Sequence, residues 1–500
     1  MLEKFKNDPS DRIKIIKSKK LSEEDKPVLY ELLTDKNVSD EEKFLIWKAI
    51  KQKNDLLDVE KLSELLNMPA LNVKKIFTST PIEVKFPIAL KDKAEITKAY
   101  IIELPKETDT LSFSLKEDKI EALKTIKDIV NKPFFVIFEK DFTHKSFMLA
   151  VLVGLLTKGE NIDKFAFTGV VNKEKEIFSV DGIEEKEKVA KEQGLKLIKP
   201  DYADTIDELL YWIGEEAIDI PFLIMVNKST EEVKTALTKL EKEIKDKKSY
   251  FSIEKLKNIF DIQEEDLYLY YDKPLSEKEE EWQNLIKLFE EKLKNIYSKF
   301  ENKIRILHIA FATPASLAMG FGIKLGTKKP VILYHYQSDK YVPVIDLSSA
   351  ETIRTIKGMK EIEKIKYEIK NIQNTEDVAV EIRLASHNLT SDVENYLKAN
   401  NKDYAIVNIQ TLNAGNLPLP EKNEWAEYIS EIYTLLNDLK NQYHINRYHI
   451  FLSTPVAIAF ALGMAIGHFW DTYIYNYNPK AEIKNKYFKV LEGKNLESIF

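Results

Sequence analysis

Over the first 78 residues apolar side chains recur at helical spacing, in LYELLT, EEKFLIWKAIKQ and VEKLSELLN. Ser22, Ser39 and Asp40 stand where helix N-termini need a capping oxygen. This pattern predicts a helical N-terminal domain, a small bundle, over 1–78. From about residue 79 the rhythm changes, and short apolar runs (FFVIF, FAFTGVV, EIFSV, LKLIKP) alternate with helical stretches up to about residue 245. That alternation predicts a domain of α/β (mixed α+β) class over 79–245. No glycine precedes Gly154; Gly169, Gly182 and Gly194 then fall at predicted junctions, where a positive φ or close backbone approach calls for them. The segment FLIMVNKSTEEVKTALTKL reads either as the last strand and helix of this domain or as the opening unit of the next.

The remainder, 246–500, contains an internal repeat. HIAFATPASLAMGFG beginning at His308 aligns with HIFLSTPVAIAFALG beginning at His449, at a constant offset of 141 residues (449 − 308). The same offset carries LYHYQ at Leu333 onto IYNYN at Ile474. Each copy reads as strand, Thr-Pro turn, helix and strand, which predicts a domain of two pseudo-repeats.

A chain of 500 residues suits about three domains. With 44% hydrophobic and 31% charged residues, 14 Gly and 17 Pro, ordered globular structure is expected throughout. The net charge of −7 lacks the basic excess that duplex nucleic acid attracts. Absence of cysteine excludes disulfides, thiolate metal sites and a cysteine nucleophile. None of the seven histidines falls in an HExxH spacing, so metal catalysis is not expected. The opening MLEKFKNDPSDRIKIIKSKK has no apolar signal core, and no run approaches the roughly 20 apolar residues that span a bilayer, so a cytoplasmic location is expected.

Candidate chemistry gathers first around Ser146. The order is Ser146 opening SFMLAVLVGLLTKG, then FAFTGVV, then IFSVDGIEEKEKVAKEQGLKLIKP. This series resembles the catalytic domain of Lon proteases. The resemblance implies Ser146 as nucleophile, Lys186 as general base and Thr168 as a supporting hydrogen-bonding residue. A serine hydroxyl needs a base, and a lysine serves only when burial or another cation lowers its pKa from about 10.4. The residues flanking Ser146 depart from the family's small-residue signature. A gap-free alignment back from Thr168 places Thr143 at the nucleophile position, and Ser146 requires a three-residue deletion, close to one helical turn. No GxxxxGK[ST] loop occurs, and GIKLGTKK at Gly322 has the wrong spacing, so no ATP-driven motor is expected.

In the repeat, a helix N-terminus directly after a strand and Thr-Pro turn suits a phosphate. Thr313, Pro314, Thr454 and Pro455 form the two turns, and the prolines suit the first helical turn, where no N–H is required. Ser316 and Gly320 permit close approach, Lys324 supplies a counter-charge, and Ser386, His387 and Asn388 follow the strand VEIRLA as polar contacts for such a ligand. Tyr336 and Tyr477 complete the candidate set. The repeat, with AVEIRLASHNL, resembles the SAVED domain, whose two CARF-like, Rossmann-type halves receive cyclic oligonucleotides in antiphage systems.

The three-part order is similar to the Lon–SAVED fusions of type III CRISPR systems. That resemblance implies an ATP-independent Ser-Lys endopeptidase activated by a cyclic oligoadenylate, cyclic tetra-adenylate foremost, with no metal. It also implies a protein substrate encoded nearby and a ligand-induced homo-oligomer, with neither duplex nucleic acid nor membrane as partner. The alternative is a nucleotide-sensing scaffold with a degenerate, inactive Lon-like domain.

Overall fold

Ser39 accepts from the Glu42 amide while the Glu42 carboxylate reaches back to the Ser39 N–H, a reciprocal cap that opens the helix Asp40–Gln52. Its buried face carries Phe44, Ile46, Trp47 and Ile50, and Trp47 donates to the carbonyl of Ile76 in the helix Ala70–Thr78. The computed structural model describes every residue except 1–2, 4–5, 19–20, 90–92, 215–216, 301–304, 359–360, 373–375, 388, 413–416 and 422. The chain divides into two compact units, Met1–Glu216 and Ala217–Phe500. No helix among the described residues is long and apolar enough to cross a membrane.

In the first unit the helices between Pro9 and Thr78 do not close on themselves. Their core includes Ile102, Leu104, Phe113, Phe135 and Ile137 from the region that follows, and Tyr100 stacks on Phe44 at 5.2 Å. The division expected at residue 78 is therefore a change of secondary structure within one core. An antiparallel sheet follows, in the order Ile82–Ala89, Ala94–Glu103, Phe134–Phe138. The apolar helix Met148–Thr157 lies against it. Gly154 is required at this approach, because a Cβ there would overlap the side chains of Val84 and Ile101. Next come the strand Phe165–Phe167, a short hairpin of Val170–Val171 with Ile177–Phe178, the helix Ile183–Glu192 and the strand Lys196–Ile198, which pairs parallel with Phe165–Phe167.

The second unit holds two sheets of like topology. One runs Lys340–Leu347, Val331–Gln337, Arg305–Ala312, Ile218–Val226, Tyr268–Tyr271. The other runs Tyr487–Glu492, Thr472–Tyr477, Arg447–Ser453, Asp377–Arg383, Ala405–Thr411, with Ile365–Lys370 added at the edge. Each has a parallel centre and an antiparallel strand beside the repeat. The pleat even breaks at matching points, between Leu333 and Tyr334 and between Ile474 and Tyr475. Ile218–Val226 pairs with Arg305–Ala312 along its whole length, as Asp377–Arg383 does with Arg447–Ser453. The boundary expected at 245/246 thus lies at 216/217, since this strand and the helix Thr230–Lys245 build the first repeat.

The helices Ala315–Leu325 and Val456–Ile466 run against each other through reciprocal glycines. A Cβ on Gly322 would overlap the Phe460 carbonyl, and one on Gly463 would overlap that of Met319. Beneath the helix Thr390–Ala399, Glu381 is fully buried between Asn408 and Phe451 on the neighbouring strands.

Candidate functional sites

Ser146 lies in a single turn, Lys145–Phe147, that leads into the helix Met148–Thr157. Its carbonyl accepts from the Gly169 N–H at 3.0 Å, and the Gly169 carbonyl accepts from Leu149 at 3.2 Å, so the serine turn is tied to the end of the strand Phe165–Phe167. Ser146 is buried, whereas Thr143 is exposed in the preceding loop. The Thr168 N–H donates to Ile198 at 3.0 Å, and its hydroxyl is buried with no hydrogen-bond partner among the described residues.

The helix carrying Lys186 begins after Gly182, whose φ of 69° takes the chain around the corner. Ala190, one turn beyond Lys186, packs with Ala166 and Leu197. The helix returns the chain to the start of Lys196–Ile198, so it runs opposite to the strand Phe165–Phe167. One turn back along the helix is about 6 Å and two strand residues forward about 6.6 Å, which sets Lys186 level with Thr168. Ser146, Thr168 and Lys186 therefore belong to one end of this layer. Lys186 is buried and makes no hydrogen bond or ion pair among the described residues; burial pushes its pKa below the usual lysine range, against the pull of Asp181 and Glu185.

In the second unit the two Thr-Pro turns stand at the C-terminal ends of central parallel strands, where α/β folds bind ligands. Pro314 and Pro455 occupy the N-cap itself, just before the helical turn expected for them. The hydroxyls of Thr313 and Thr454 are both buried without a partner among the described residues, at pseudo-equivalent places. Leu384 and Ala385 both donate to the Ser453 carbonyl, at 2.8 and 2.9 Å, which holds the exposed Ser386 and His387 beside the second turn. The His387 ring lies 4.8 Å from that of Tyr477, whose hydroxyl donates to Asp392 at 3.0 Å. Ser316 reaches across the repeat to Asn476 at 2.8 Å, joining the first turn to the neighbour of Tyr477. Asn388 lies outside the described residues.

Three candidates are employed elsewhere. Gly320 faces Leu491 and Ile286, where any side chain would collide, so its smallness serves core packing. Lys324 is largely buried in an ion pair with Glu290 at 2.7 Å. The Tyr336 hydroxyl donates to Asp339 and accepts from Lys239 in an exposed cluster.

Sequence spacing does not show a pair of histidine relays, one wholly buried and one open at its aspartate. His308 meets Asp219 through Nε2 at 2.8 Å and Tyr334 through Nδ1 at 2.9 Å; His449 meets Asp377 at 2.9 Å and Tyr475 at 3.0 Å. A carboxylate only accepts, so Nε2 carries the proton and the tyrosine donates to Nδ1. Each relay ties three strands together beneath its Thr-Pro turn.

Residues 272–347 and 354–492 match the family model of SAVED, the SMODS-associated and fused to various effectors sensor domain. The chain carries a SAVED domain. No protein of curated function matches the chain. Among solved structures, the SAVED/CARF-domain containing receptor Cap4 of Acinetobacter baumannii, with the cyclic trinucleotide 2′3′3′-cAAA, is 14% identical over 55% of this chain and 51% of its own, at a TM-score of 0.37. The same receptor with 3′3′3′-cAAA is 14% identical over 54% and 51%, at 0.36. The Moraxella osloensis Cap4 receptor is 11% identical over 82% of this chain and 94% of its own, at 0.32. The chain spans about half the length of the Acinetobacter receptors it matches. Both Thr-Pro turns and both relay histidines fall inside the SAVED match, whereas Asp219 precedes it in sequence and joins it through the sheet.

Proposed function

We propose that this protein is a Ser-Lys endopeptidase of Lon type, gated by a cyclic oligonucleotide bound to its SAVED domain. The observation that carries the protease reading is a buried lysine with no ion pair among the described residues, on a helix that packs against the layer holding Ser146 and Thr168. In the reaction, the neutral Lys186 amine takes the Ser146 proton as Oγ attacks the scissile carbonyl. The C–N bond then breaks, and the lysine returns that proton to the leaving amine. Water, deprotonated by the same amine, releases the acyl group and restores the serine. The Thr168 hydroxyl donates to Ser146 Oγ, or accepts from the lysine nitrogen, as the proton moves.

The gating reading is supported by two pseudo-equivalent turns whose hydroxyls have no partner among the described residues, a pattern that suits a ring with repeated phosphates. The activator is a cyclic oligoadenylate, with cyclic tetra-adenylate the first to try, and the setting is type III CRISPR antiviral signalling. The substrate is a specific protein encoded nearby. Ligand favours head-to-tail association of sensor domains, which brings protease domains and substrate together.

The test is cleavage of proteins encoded beside this gene, with and without cyclic tetra-adenylate or cyclic tri-adenylate, by the native chain, Ser146→Ala, Thr143→Ala and Lys186→Met. Ligand-dependent cutting retained by Thr143→Ala and lost in the other two is expected. Ligand binding without any cutting by the native chain would replace this reading with a sensing scaffold, and a scattering mass unchanged at saturating ligand would remove the association step.

A further inference from the structure

The loop 139–145 leads into Ser146, and its anchors come from far earlier in the chain. Lys119 and Asp40, both buried, form an ion pair between the helices Glu117–Val130 and Asp40–Gln52. The Lys119 ammonium also lies 3.4 Å from the centre of the Phe142 ring and 4.6 Å from that of Phe138. Both rings contact Phe147, the residue after the serine, at 5.5 and 4.9 Å. Beside them the Asp141 carboxylate accepts from the Asp40 N–H at 3.2 Å and from Lys116 at 2.6 Å. An unbroken set of contacts thus runs from the N-terminal helices through Asp40, Lys119 and Phe142 to the nucleophile turn.

Stability alone does not account for such a pair. Burying two charges costs about as much as their attraction returns, and apolar replacements of similar volume are often neutral or better. What a buried pair enforces is one geometry, and the geometry it enforces here is that of the serine turn. We infer that Asp40 and Lys119 form a positioning clamp, through which the N-terminal helices hold the loop 139–145 and so aim the Ser146 hydroxyl. The inference rests on the protease reading for its catalytic consequence, and the N-terminal helices become a working part of the protease.

The clamp also has a pH signature. Burial pushes Lys119 down to about 8; the like charge of Lys116 acts in the same direction, while Asp40 and Asp141 oppose it. Because the folded value lies below the unfolded 10.5, losing this proton above pH 8 does not weaken the fold: between about 8 and 10.5 the unfolded chain binds it more, so stability rises with pH there. Alignment of the serine is lost over the same window.

The experiment uses the full chain. Phosphonylation by a fluorophosphonate, in which the Ser146 Oγ–P bond forms, fluoride leaves and the serine proton passes to Lys186, is timed from pH 6.5 to 9.5, with hydrogen exchange of amides 140–147 alongside. Native labelling is expected to rise with pH and then fall above about 8, with no fall in Tm. Lys119→Arg, whose charge persists, abolishes the fall, and Lys119→Met labels roughly tenfold more slowly at pH 7.5. Exchange of the loop amides rises roughly tenfold in Lys119→Met and in Asp40→Asn. Native exchange in both variants would overturn the clamp; should Lys119→Met not fold, Asp40→Asn and the native pH series decide it. A native chain that never labels, with or without cyclic tetra-adenylate, would overturn the protease reading instead, and loop exchange would still judge the clamp.

Discussion

Replacing Glu381 with glutamine is expected to stabilise the C-terminal unit at alkaline pH and to do little in acid. The carboxyl is wholly buried. Its Oε2 accepts from Asn408 at 2.8 Å, and Oε1 has no partner among the described residues. Burial dominates, with Glu394 adding to it, and raises the carboxyl from its ordinary 4.5 to about 7, against Thr390, Asn408 and Lys370. Unfolded, the group ionises near 4.5; folded, it keeps its proton to about 7, so the unit loses stability as pH rises through that interval. The difference amounts to about 3 kcal/mol at roughly 1.4 kcal/mol per pH unit. Glutamine keeps the acceptor for Asn408 and never ionises. Thermal unfolding of both chains at pH 5 and pH 8 checks this. The variant should melt roughly 6–12 °C higher at pH 8, with most of the gap gone at pH 5. An equal gap at both pH values, or a lower Tm for the variant at pH 8, would refute the assignment of an ionised, poorly satisfied carboxylate.

The two histidine relays offer an internal comparison. The Asp219 side chain is 2% exposed and that of Asp377 38%, so His308→Ala should cost roughly 3–5 kcal/mol and His449→Ala roughly 1–2, read as the ordering of their Tm losses. Burial also holds the His449 pKa below its usual value, so on its account stability is lost as pH falls below 6.5, a loss that His449→Gln removes in acid melts. Thr313→Val and Thr454→Val delete hydroxyls that bond to nothing described, so Tm should hold or rise while calorimetric affinity for cyclic tetra-adenylate falls roughly tenfold or more. Lys186→Met removes a buried amine that has no ion pair among the described residues and should raise Tm while abolishing cleavage; a lower Tm would show the amine to be structural.

The repeat was legible because its offset of 141 residues survives wherever the two copies share a job: the His, Thr-Pro and Tyr positions coincide in sequence and in space. Asp219 and Asp377 do the same job but lie 158 apart (377 − 219), since chain of different length separates each from its histidine, and no offset joins them. Gly320 and Lys324 misled for a different reason. Smallness and charge say nothing about which side of a helix faces a ligand, and their partners, Leu491 and Glu290, come from distant elements. The N-terminal helices were visible from their caps and stripes. That their apolar faces would meet Ile102 and Phe135 depends on a sheet formed much later, which local periodicity does not encode.

At Gly322 and Gly463 the two repeats meet backbone to backbone, with no side chain between the helices to act as a cushion. A hinge between the halves would have to grind one helix directly over the other. Under the proposed function, Thr313 and Thr454 would be the jaws of a caliper whose opening is preset. A ring of the wrong circumference would then be turned away for its size rather than wrapped. Under that reading, retuning the domain to another ring would demand re-spacing its spine, and new side chains around the turns would not suffice.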